Sequence, residues 1–132
     1  MQTEILAVVL SSALLFAAVN VQAMVNTTAK GTAWIFSNRE DQDLPELSRR
    51  ATRALANHIE NMALFVPIAL AVVVTDSADG VSALGAWLFI GARLLYIPIY
   101  VLGVTYLRSL LWMVGVAGTA LVAWPLLASL VG

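Results

Sequence analysis

Two polar stripes set into otherwise apolar sequence are where this chain can do chemistry. The segment Arg50-Ala-Thr-Arg53-Ala-Leu-Ala-Asn57-His58-Ile-Glu60 places Arg50, Arg53, Asn57 and Glu60 at spacings of 3, 4 and 3. At about 100° per helical residue these four project within roughly 80° of one another, a ladder about three turns tall. Arg93, Tyr96 and Tyr100 form a second stripe at spacings of 3 and 4, and Arg108 follows it. Two cationic stripes with a single carboxylate suit a pocket for a small polar ligand with several negative groups, because guanidinium forks match carboxylates. Taken singly, the same residues have plainer readings. Arg53 and Glu60 would serve as members of a structural network with Arg93 on a neighbouring helix. Arg49 and Arg50 would be interfacial anchors, and Tyr100 and Tyr106 part of an aromatic belt. His58 projects about 100° from Asn57 and is read as a helix-contact or interfacial histidine and not as an acid–base group. Met62, Met113 and the tryptophans are read as packing or interface residues.

The elements that carry these stripes belong in lipid. Of the 132 residues, 61% are hydrophobic and 11% charged, against about 45–50% and 25% in soluble domains; the mean hydropathy is +0.88. About 80 apolar residues at ~20 per span leave room for roughly four spans and little else. The apolar runs predict helices over about 5–27, 48–75, 81–102 and 107–131, as one domain over 1–132. The first run has Glu4 and no basic residue before it, so it reads as a retained helix and not as a secretory signal. A polar stretch from about 26 to 49 joins the first two spans, and Thr75 to Gly80 makes a short acidic turn. Pro67 and Pro125 lie inside spans, where neighbouring helices can satisfy the freed carbonyls.

Composition removes several function classes. With no cysteine and one histidine there is no thiolate site, no cysteine nucleophile and no multi-histidine metal site in one chain, so no metal is expected. Seven basic residues and a net charge of -1 give no footprint for nucleic acid. All seven, Lys30, Arg39, Arg49, Arg50, Arg53, Arg93 and Arg108, fall in or beside the first and third connections. The positive-inside rule then predicts those connections in the cytoplasm and both termini outside.

Arg50-x-x-Arg53-Ala-x-x-Asn57-x-x-Glu60, with Leu64-Phe65 behind it, resembles the signature of the MAPEG family, the membrane-associated proteins in eicosanoid and glutathione metabolism. Arg93-x-x-Tyr96-x-x-x-Tyr100 and Arg108 extend the likeness, which covers residues from about 47 to 112 and resembles a bacterial-type member. Asn61 departs from it, standing where some members carry an aromatic residue. The resemblance implies an all-α four-helix transmembrane bundle that forms a homotrimer, in a bacterial inner membrane, with glutathione as co-substrate. It further implies that Arg53, Asn57, Glu60, Arg93, Tyr96 and Tyr100 bind glutathione and that Arg108 stabilises its thiolate. Lys30 and Arg50 are additional candidates for holding a glutathione carboxylate. The expected activity is that of a membrane glutathione transferase or peroxidase acting on a lipophilic small molecule. A non-catalytic scaffold or binding module is the alternative. A small transporter is disfavoured because no repeat or second broken helix accompanies Pro67.

Overall fold

The computed structural model describes residues 2–41 and 43–132. They form α1 (Gln2–Lys30), a one-turn α2 (Thr32–Ile35), α3 (Glu46–Val74), α4 (Gly80–Leu102) and α5 (Thr105–Val131). The described residues contain no strand. The four long helices are each long and apolar enough to cross a membrane. They run alternately up and down as a bundle. Two of them, α3 and α4, contact each other, and each also packs against α1 and α5.

Helix ends follow local chemistry. The polar residues near 26–30 do not end α1; Thr27 and Thr28 turn their hydroxyls back onto the carbonyls of Ala23 and Met24 (2.7 and 2.9 Å) within the continuing helix. Gly31, at a φ of 83°, ends it. Asp79 caps α4: its carboxylate accepts from the amides of Val81 and Ser82 (2.8 and 3.0 Å), and the Ser82 hydroxyl accepts from the Asp79 amide. Gly103 closes α4 in the left-handed region with a φ of 82°, so only Gly103 and Val104 separate α4 from α5. That tight link fixes the register of Arg108 against α4. Pro67, Pro98 and Pro125 all lie within continuous helix.

The two halves of the bundle differ. In one, Phe65 and Phe89 stack at 3.8 Å with their rings 1° from parallel, among Ala7, Ala69, Val72, Ala86 and Val122. Gly85 and Gly118 bring α4 and α5 into backbone contact there, since a Cβ on Gly118 would sit 2.7 Å from the Gly85 carbonyl oxygen. Buried Glu4 accepts from the Ser82 hydroxyl and ties α1 to the start of α4. The other half holds the end of α1, the start of α3, the end of α4 and the start of α5. All the basic residues gather in that half or in the α1–α3 connection beside it.

Candidate functional site

The two stripes meet across a cleft of about 430 Å³ between α3, α4 and α5. Arg53, Ala56, Asn57 and Glu60 line it from α3, Tyr96 and Tyr100 from α4, and Arg108, Ser109 and Trp112 from α5. Helical spacing does the positioning. Glu60 lies seven residues beyond Arg53, and Trp112 four beyond Arg108, so each pair shares a face.

Tyr100 is held from two sides. Arg53 Nε donates to its hydroxyl at 3.2 Å, and the Arg108 guanidinium lies over its ring at 4.7 Å. Tyr96 tilts against it at 5.5 Å. Glu60 makes no hydrogen bond or salt bridge among the described residues, and Arg108 makes no salt bridge. The structural network expected for Arg53, Glu60 and Arg93 is therefore replaced by other pairings. Arg53 reaches Glu46 at 3.4 Å, while Arg93 turns to His58 and Asn57. A carboxylate and a guanidinium, neither in a salt bridge among the described residues, face one cleft.

Asn57 presents a defined edge. Its Oδ1 accepts from Arg93 Nη2 at 3.0 Å and from Asn61 Nδ2 at 3.2 Å. Both partners are donors only at those atoms, so the oxygen points back into the protein, and the Asn57 amide nitrogen makes no hydrogen bond among the described residues.

Three expected site residues do not line the cleft. Arg93 is fully buried behind its wall, with its guanidinium 4.2 Å from the Tyr96 ring. Its long stem turns away from the stripe, toward an acceptor on His58. Lys30 is held by Asp41 at 2.8 Å in the α1–α3 connection. Arg50 is held by Glu46 at 3.1 Å and packs against Gly103, whose missing side chain makes room for the guanidinium. Glu46 also takes Arg49 at 2.7 Å, so one carboxylate gathers three arginines, of which Arg53 lines the cleft.

Several participants escape a reading by spacing alone. Trp112 is a cleft wall and not merely a packing residue, and its i+4 relation to Arg108 is the signal that finds it. Asn61, the departure after Glu60, orients Asn57. His58 joins α1 to α4 through Ser11 and Arg93. Among the described residues no cluster of His, Asp or Glu is arranged to hold a metal ion.

No curated protein and no solved structure matches the chain. The sequence model of the MAPEG family matches residues 5–128. With four apolar helices long enough to span, the protein is an integral, multi-pass membrane protein, and its chain belongs to the MAPEG family.

Proposed function

We propose that the protein is a membrane glutathione transferase or peroxidase, and that the cleft between α3, α4 and α5 binds glutathione and ionises its thiol. One observation carries the reading: Glu60 and Arg108 face the same cleft, and among the described residues neither forms a salt bridge. Ionisable groups at membrane depth are costly unless a partner or a watery cavity compensates them. Glutathione offers both kinds of partner, an amine for Glu60 and carboxylates for guanidinium groups. The Asn57 amide nitrogen and the Tyr96 hydroxyl supply neutral contacts beside them.

Arg108 is assigned the thiol. A thiol of pKa about 8.5 is mostly protonated at neutral pH. Lowering it by one to two units takes only ~1.4–2.7 kcal/mol of differential stabilisation, which one guanidinium within hydrogen-bond reach supplies. The thiolate sulfur then attacks an electrophilic carbon, and the leaving group departs with the bonding pair. With a hydroperoxide, the thiolate attacks the distal oxygen, the O–O bond breaks, the alkoxide leaves and takes a proton from water, and a second glutathione condenses with the sulfenic acid to give the disulfide and water. The chain supplies no nucleophile of its own in either case. We assign the lipophile to the side of the cleft that Trp112 lines.

The active form is proposed as a homotrimer in a bacterial inner membrane, with both termini outside and the basic connections in the cytoplasm. The large exposed apolar side chains, among them Phe16, Trp87, Leu94 and Trp124, are those that lipid and neighbouring copies would cover. The reading is tested by glutathione conjugation to a lipophilic aryl halide in detergent micelles. Arg108→Ala is expected to retain glutathione binding and lose conjugation. Binding with no conjugation by the wild type would favour a scaffold that keeps the site without the chemistry.

A further inference from the structure

We propose that His58, the chain's one histidine, is a positioning residue that holds Arg93 in place behind the cleft wall, and that it does so as a neutral ring protonated on Nε2. Only its consequence for ligand affinity rests on the glutathione reading.

The ring is fully buried between α1, α3 and α4. Its Nε2 lies 3.1 Å from the main-chain oxygen of Ser11 on α1, and its Nδ1 lies 3.3 Å from Arg93 Nε on α4. A carbonyl only accepts, so Nε2 must carry hydrogen. A guanidinium N–H only donates, so Nδ1 must present a lone pair. One of the ring's three protonation forms meets both demands. An imidazolium would point a hydrogen at a cation, and the other neutral tautomer would lose both bonds.

This ring determines where the guanidinium lies. Arg93 is fully buried and no carboxylate among the described residues pairs with it; its Nη1 has no hydrogen-bond partner. With Nε anchored on His58, Nη2 reaches Asn57 Oδ1 at 3.0 Å and the guanidinium face lies 4.2 Å from the Tyr96 ring. Asn57 and Tyr96 both line the cleft. His58 thus sets the orientation of two lining side chains through one it contacts, while its bond to Ser11 keeps the ring from swinging with them. The arrangement parallels the way a second hydrogen bond fixes the tautomer of a metal-ligating histidine.

Because the chain has a single histidine, imidazole ¹⁵N spectra of the micellar protein report this ring alone. The expected spectrum has Nε2 protonated and Nδ1 bare, with the Nδ1 resonance moving in Arg93→Met while Nε2 stays protonated. A ring protonated on Nδ1, or an Nδ1 signal indifferent to Arg93→Met, overturns the proposal. Two substitutions then read the consequence. His58→Asn keeps an acceptor near Arg93 Nε and gives up Ser11, whereas His58→Gln reaches Ser11 and gives up Arg93. Glutathione affinity is expected to stay within about threefold in the first and fall about tenfold in the second, the scale of one hydrogen bond to a charged group. Equal effects in both would mean that His58 serves packing alone. A wild type that binds no glutathione refutes the functional reading, while the spectra still decide the positioning. Should neither substitution fold, the wild-type and Arg93→Met spectra decide it.

Discussion

The contact between α4 and α5 makes a prediction that separates close backbone packing from generic apolar packing. A Cβ on Gly118 would lie 2.7 Å from the Gly85 oxygen, 2.8 Å from the Phe89 nitrogen and 3.2 Å from the Phe89 Cα. Every one of these atoms is backbone, so no rotamer change relieves the clash and α4 must move. Regaining ordinary contact near ~3.5 Å requires the helices to part by roughly 0.8 Å, and a gap of that size forfeits a quarter to a half of each facing dispersion well. Overpacking of this kind costs about 3 kcal/mol at the upper end of its range. Alanine's better helix propensity returns about 1, leaving Gly118→Ala about 2 kcal/mol less stable. Gly115 lies one turn earlier on the same helix. Its added Cβ would meet the Ala92 Cβ and Arg93 Cδ at 3.8 Å each, an ordinary contact, so Gly115→Ala should gain up to about 1 kcal/mol. The same chemical change on one helix is therefore worth ~3 kcal/mol of difference. Reversible unfolding in mixed micelles of increasing anionic detergent, followed by circular dichroism, measures it. Gly118→Ala as stable as Gly115→Ala would refute the close-approach argument.

Two other sites give independent checks. Ser82→Ala removes the hydroxyl that completes the α4 capping box and donates to buried Glu4; it should cost about 2 kcal/mol in the same unfolding assay, with Ser82→Thr much closer to the wild type. The Lys30 ammonium beside Asp41 at 2.8 Å, helped by the Asp43 amide at 3.0 Å, holds the Asp41 carboxyl below its ordinary value. A folded value below the unfolded one stabilises the fold fully above the unfolded titration, and this contribution fades as pH falls through the folded value. A carboxyl ¹³C titration should place the Asp41 midpoint below that of a free aspartate, and Lys30→Met should raise it.

The parts of this molecule legible in the sequence are those decided within one helix. Apolar runs mark the four long helices, and 3–4 spacing puts Arg53, Asn57 and Glu60 on one face because helix geometry leaves no other arrangement. Relations between helices are less legible. Arg93 shares a stripe with Tyr96 and Tyr100, yet spacing fixes the direction of Cβ and not the end of a long stem, which here finds an acceptor on another helix. For the same reason Arg50 and Lys30 find Glu46 and Asp41, carboxylates close at hand, and stay out of the cleft. Helix α1 outruns its apolar segment: the threonine hydroxyls there are accommodated on carbonyls of the preceding turn, and Gly31 marks the end, a local detail that hydropathy does not register. Trp112 reads as packing until α5 is placed against α3.

Ionisation of a bound thiol by Arg108 can be read from the ultraviolet difference spectrum of glutathione titrated onto the micellar protein at neutral pH, with Arg108→Ala beside it. The proposed role of Arg108 predicts a saturable thiolate band in the wild type and, in the variant, retained binding with the band absent. A thiolate band of equal size in Arg108→Ala, or saturable binding by the wild type with no band at all, would contradict it.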